Sequence, residues 1–203
     1  MKPLRPAGDL SELPSVVFGW RSLMWWATLG FVLIEGFTLV LCAASYVYLT
    51  QNFTTWPPEH TPLPSLGAPT IQVIVMLASL PVVWWTAKAA RRFELGKVRI
   101  GLVLATLFAI AFVGLRAVEL LVSLNVRWDT NAYGSAAWTI VGAHTTLLLL
   151  DVADTLGLTF LFFVREMPGK SYSDANDNSF YWYFTVGIWI PIYLIVYVGP
   201  RIF

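Results

Sequence analysis

The chain has 203 residues, of which 57% are hydrophobic and only 12% charged, with a net charge of +1. A soluble domain carries about 25% charged residues, so this composition excludes a water-soluble globule and defines an integral membrane protein. The near-neutral balance gives no nucleic-acid signal, and a single cysteine, Cys42, excludes a disulfide framework.

Residues 1–19, "MKPLRPAGDLSELPSVVFG", hold three prolines and mixed charges and lack the apolar core of a signal peptide. They are read as a short cytoplasmic tail, followed by one membrane domain over 20–203. A span needs about 20 apolar residues. Five stretches qualify: Trp20–Leu49, Thr70–Ala87, Ile100–Val126, Ala136–Val164 and Phe180–Val198. The runs are continuous rather than alternating, and lipid cannot satisfy an open sheet edge. The expected fold is therefore all-α, an integral membrane bundle of five transmembrane helices. The second span is short, and Pro81 is expected to kink it. The first, third and fourth are long enough to tilt.

The basic residues orient the spans. Of the 13 Lys and Arg, 10 fall before span one, between spans two and three, or between spans four and five. Only Arg127 and Arg201 fall on the other side, and Arg116 lies within a span. The positive-inside rule then places the N-terminus in the cytoplasm and the C-terminus outside. The loop "QNFTTWPPEHTPLPSLGAP" on the outer side has no Lys or Arg, in agreement.

Six ionisable groups sit within the spans: Glu35, Arg116, Glu119, His144, Asp151 and Asp154. A charged side chain at mid-depth costs about 2.5–3.5 kcal/mol on insertion scales, so each needs a partner, a proton or water. Thr28, Glu35, Thr38, Cys42 and Ser45 recur at helical spacing and form one polar stripe, expected to face protein. Arg116 and Glu119 stand at i, i+3 and can pair locally. His144 and Asp151, seven apart, share a face of the fourth span, with Asp154 one turn on.

Each of these residues has a plain reading beside a functional one. Glu35 is either a neutral or hydrogen-bonded buried acid, or a proton- or lipid-linked one. The neutral form is preferred over an ion pair with Arg116, which already has Glu119 within one turn. Arg116 with Glu119 reads as a structural pair, His144 as a hydrogen-bonded packing residue, and Asp151 and Asp154 as groups that snorkel or meet a cytoplasmic cavity. With His60 in the outer loop and His144 in a helix, bis-histidine haem ligation has no basis. No HExxH, Walker loop, CxxC or Gly-x-Ser-x-Gly occurs. An accessory subunit is favoured over a self-contained enzyme.

The order of landmarks adds to this. "FVLIEGFTLVLCAASYVYL" is followed by "WPPE" and "TIQVIVMLAS", then by "LRAVELL", "AYGSAAWTIVGAHTTLLLLDV" and "SFYWYFTVGIWIPIYLIVYV". From Trp20 onward the chain resembles subunit III of the haem–copper terminal oxidases (cytochrome c or quinol oxidase), in a five-helix form without two extra N-terminal helices. The resemblance implies a subunit with no haem or copper of its own. Both are expected in the catalytic subunit I on which it packs. It also implies phospholipid binding, support of proton uptake, and a place in aerobic electron transport in a bacterial inner membrane. Glu35, Glu119 and His144 match the family's acids and first histidine. The family's second histidine is Leu147 here, and its closing Tyr-Trp-His-Phe-Val-Asp is Tyr181 to Val186 without His or Asp. Arg21, Arg91 and Arg92 are candidates for lipid headgroups. Two rivals remain: an accessory subunit of a nitric-oxide reductase, and a small proton-coupled carrier using Glu35, His144 and Asp151. An odd span count opposes the inverted repeat of many carriers.

Overall fold

The computed structural model describes residues 16–165 and 168–202. The expected polar tail, with Lys2 and Arg5, lies mostly outside them. Among the described residues five helices are long and apolar enough to cross a membrane, beginning with α1 (Leu23–Thr50) and α2 (Gly67–Arg91). They continue with α3 (Leu95–Val118), α4 (Ala132–Val164) and α5 (Gly169–Tyr193).

Local chemistry sets the helix starts. Ser22 caps α1, its hydroxyl accepting from the Met24 amide at 3.2 Å. Asn131 caps α4, its side-chain oxygen accepting from Gly134 N at 2.8 Å. Pro69 sits in the first turn of α2, where its missing N–H removes no helical bond. α2 then runs continuously through Pro81. α3 ends in a wide turn over Glu119–Ser123, closed by Leu124 N donating to Glu119 O at 3.1 Å. A similar wide turn, Leu194–Val198, follows α5.

α2 packs most extensively on α3 and α5, while α1 lies at the edge against α4 and α5. The α2–α3 approach is close at Gly101, where a Cβ would overlap Thr86. The main core holds Phe112, Trp182 and Trp189 with smaller residues from α2, α3 and α4. A second cluster, including Val98, Leu102, Phe162 and Tyr172, lies at one end. At the other end Trp56 folds back from its loop, its ring 5.3 Å from the rings of both Tyr46 and Tyr133.

Contacts between helix ends fix which termini share a side. Arg99 Nε donates to Phe162 O at 2.7 Å, and Ser173 Oγ to Val17 O at 2.8 Å. Thr70 and Tyr193 join hydroxyls at 2.8 Å at the opposite end. The basic connections of the sequence therefore gather at one end, called inner here, and Arg127 and Arg201 lie at the outer end.

Three expectations are corrected. The last helix starts at Gly169, eleven residues before the expected Phe180, because the polar run "GKSYSDANDNS" is helical and most of its side chains are buried against neighbours. The polar stripe of α1 does not face protein throughout. Thr38 and Ser45 are exposed and donate to the carbonyls of Ile34 and Leu41 in their own helix, at 2.9 Å each, so they need no partner across an interface. The third helix starts earlier and gives up α-geometry earlier than expected, as α3 covers Leu95–Val118.

Candidate functional site

The six ionisable groups singled out in the spans fall into two centres, both built against α5. The outer centre joins α3, α4 and α5 with the wide turns that follow α3 and α5. Arg116, near the end of α3, and Glu119, at the start of the wide turn, are 2% and 0% exposed, with Nη1 and Oε2 2.9 Å apart. Those two atoms are close without hydrogen-bond alignment, so charge rather than a directed bond holds them. The wide turn carries Glu119 inward to Tyr197, whose hydroxyl donates to Oε1. Arg116 Nη2 lies 2.9 Å from His144 Nδ1, and the other ring nitrogen is 3.0 Å from Thr185 O. A guanidinium can only donate, so Nδ1 is an acceptor and the proton sits on Nε2, which donates to Thr185 O. The imidazole is therefore neutral. Trp189 closes the centre, its ring centroid 3.9 Å from the guanidinium carbon and 4.8 Å from the imidazole.

The inner centre is a cleft of about 280 Å³ between α1, α4 and α5. Glu35, half-buried on α1, accepts a 2.7 Å hydrogen bond from the Tyr181 hydroxyl. Asp154 of α4 accepts from Asn178 Nδ2 at 2.9 Å, and the same amide reaches Thr155 Oγ1 at 3.1 Å. Asp174 and Asp177 complete the polar wall. Asp151, one turn further out on α4, is 2% exposed, and its Oδ1 has no hydrogen-bond partner among the described residues.

The structure thus brings together Arg116, Glu119 and His144, and separately Glu35 and Asp154. It does not bring Glu35 to Arg116. Sequence reasoning missed Tyr181, Asn178, Asp177, Asp174 and Tyr197. A signal was present: Asp174, Asn178, Tyr181 and Thr185 stand at i, i+4, i+7 and i+11, one polar face of a helix. The headgroup candidates separate as well. Arg21 is exposed beside the Trp20 ring, and Arg92 is exposed. Arg91 donates to Asn176 Oδ1 at 2.7 Å and lines a second cavity with Lys88, Trp25, Trp84 and Tyr183.

Five apolar helices around these polar centres define a multi-pass membrane protein. No family model matches the chain. Among curated proteins, the chain is 23% identical over 143 residues to cytochrome c oxidase subunit 3 of Polypterus ornatipinnis. It is 26% identical over 149 residues to cytochrome c oxidase subunit 3 of Latimeria chalumnae. Each match covers 70% of this chain and 54% of the relative, so the chain spans about half the length of the curated relatives it matches.

Proposed function

We propose that the chain is a non-catalytic, five-helix membrane subunit of a respiratory haem–copper oxidase, of the subunit III type. The observation that carries this is the likeness to cytochrome c oxidase subunit 3 along 70% of the chain, which lies on an all-helical membrane bundle. The haem and copper belong to the catalytic partner, and this chain contributes contact, lipid and protons' access rather than redox chemistry. The reading puts the chain in a bacterial inner membrane with its N-terminus inside, and the basic asymmetry supports that orientation.

Two features support a supporting role. The outer centre ties α3, α4 and α5 into one unit through a buried ion pair and its hydrogen bonds. The cavity lined by Lys88, Arg91, Trp25 and Trp84 joins cations to amphipathic rings at the inner end, a setting that suits an anionic phospholipid headgroup. Glu35, at the inner cleft, is the acid proposed to be linked to proton uptake. Purification in mild detergent tests the whole reading. The expected result is a complex with haem and copper that reduces oxygen. A complex that instead turns over nitric oxide assigns the chain to a nitric-oxide reductase system. A chain isolated alone, active in proteoliposomes as a carrier, overturns the subunit reading.

A further inference from the structure

The face of α2 turned into the bundle repeats a polar residue at steps of seven: Gln72, Ser79 and Thr86. Seven residues are close to two helical turns, so the three share one seam. All three are buried, at 0%, 0% and 3% exposed. Two of them have partners. Ser79 Oγ accepts from Trp182 Nε1 of α5 at 2.9 Å and donates to Met76 O. Thr86 donates to Val82 O at 2.8 Å, and its side chain faces Gly101 of α3. Gln72 differs: neither its Oε1 nor its Nε2 has a hydrogen-bond partner among the described residues. An amide that has left water and gained no bond is costly.

Cross-links on either side fix what Gln72 meets. Ser65 N donates to Ser123 O at 2.7 Å, and Thr86 lies against Gly101, so α2 and α3 run antiparallel in a set register. Gln72 lies seven residues inward from Ser65, and Arg116 seven inward from Ser123, so the two are level. On α5, the Thr70–Tyr193 and Ser79–Trp182 bonds bracket Gln72 and place it within about one helical turn of Trp189. Trp189 in turn packs on the Arg116 guanidinium. Other orphaned atoms gather at this level. Arg116 Nε and Nη1, Glu119 Oε2 and Trp189 Nε1 also lack a hydrogen-bond partner among the described residues, and these side chains are 2%, 0% and 0% exposed.

The mixture of orphans defines what fits. The guanidinium and the indole only donate, the carboxylate only accepts, and the amide does both. An anion would meet Glu119, and a cation would meet Arg116. A neutral group that donates and accepts serves all four, and water is the smallest such group. A buried water typically makes about three hydrogen bonds to groups of this kind.

We propose that the outer centre binds ordered water between Gln72, Arg116, Glu119 and Trp189. The water extends the hydrogen bonding of the centre to α2, which gives it no charged side chain. Gln72 holds the water beside the buried ion pair, so Arg116 and Glu119 are bonded through it as well as attracted directly. The inference concerns residues of this chain alone and does not rest on the oxidase reading.

Two tryptophans of α5 supply the test. Trp182 and Trp189 are 1% and 0% exposed, but Trp182 has its N–H bonded to Ser79, whereas Trp189 faces the proposed water. Brief X-ray radiolysis of the purified protein, with any partners it retains, turns water into hydroxyl radicals. These oxidise the side chains next to them, even in a buried site. Tandem mass spectrometry of peptides reads the two indoles separately. Trp189 should oxidise several-fold faster than Trp182. Gln72→Leu, close in volume but without hydrogen-bonding groups, should bring Trp189 down to the Trp182 rate and leave Trp182 unchanged. Gln72→Met makes the same comparison if Gln72→Leu does not fold, and the native protein tests the proposal without either. Equal slow rates at the two indoles overturn it, because the centre is then dry. Equal fast rates overturn it too, because bulk solvent then enters the bundle. A fast Trp189 rate that survives both substitutions also overturns it, since Gln72 then holds no water.

Discussion

Tyr181 and Glu35 are 146 residues apart in sequence, and the phenol hydroxyl donates to the carboxylate across 2.7 Å. This bond ties the edge helix α1 to α5 at the depth of the inner cleft. α1 otherwise buries little of its surface, so the tie is one of few polar links it has.

The half-buried position of Glu35 at a lipid-side cleft predicts its reactivity. A hydrophobic carbodiimide partitions into lipid and reacts with protonated carboxyl groups it can reach, taking the proton before the carboxylate oxygen adds to its carbon. Glu35 should label, and Asp151, at 2% exposed, should not. Peptide mapping after labelling reads both sites at once. Glu35→Gln should assemble normally, since the amide oxygen still accepts from Tyr181. Turnover of the assembled complex that is unchanged in Glu35→Gln would restrict Glu35 to packing. Lower or less durable turnover at full haem content would support a proton role. Labelling of Asp151 with Glu35 untouched would show that the cleft opens elsewhere.

The Arg116–Glu119 pair makes a second prediction. Removing one member leaves the other charged, buried and uncompensated, which costs about 3–5 kcal/mol. Glu119→Leu and Arg116→Met should each lower thermal stability in detergent sharply. The double variant should be less destabilised than the two single losses added together, because no charge is stranded. His144 senses the same change, since it loses the donor at Nδ1 in Arg116→Met. Strict additivity in the cycle would mean that the two side chains do not act as a pair.

The five spans were legible because lipid demands long apolar runs, and those runs are continuous in the sequence. The start of α5 was not legible for the complementary reason. Ser173, Asn176, Asp177 and Asn178 read as a surface loop by composition, yet their bonds to Val17, Arg91 and Asp154 bury them. The i, i+3 pairing of Arg116 with Glu119 could be read from spacing alone. Its link to His144 could not, because it depends on how α3 and α4 pack. The stripe on α1 misled in part, since a Thr or Ser hydroxyl can be satisfied by its own helix. Only Glu35, which has no such local option, reached across to another helix.

Glycine supplies a packing prediction. Gly101 faces Thr86 where α2 and α3 meet, and an added Cβ would overlap the threonine side chain. Gly142, on α4, has nothing within 4 Å of the same position. Gly101→Ala should therefore cost about 1–3 kcal/mol through forced separation of the two helices. Gly142→Ala should be neutral or slightly stabilising, as alanine is the better helix former. Thermal unfolding of the two variants in one detergent makes the comparison. Equal effects would mean that α2 and α3 do not approach closely at Gly101.

The last prediction concerns orientation. The inner end gathers Arg21, Lys88, Arg91, Arg92, Lys97, Arg99, Arg165 and Lys170, while Arg127 and Arg201 lie at the outer end. Orientation follows the excess of Lys and Arg in short loops, so this end should stay in the cytoplasm. A phosphatase or fluorescent reporter inserted near Gly96 should then read as cytoplasmic, and one fused at Phe203 as periplasmic. Five spans force opposite signals at these two positions, because one lies after two crossings and the other after all five. Matching signals would remove one span from the bundle. Reversed signals would keep all five and invert the protein, which would place the basic cavity lined by Lys88 and Arg91 toward the outer leaflet, away from the anionic inner surface proposed to supply its headgroup.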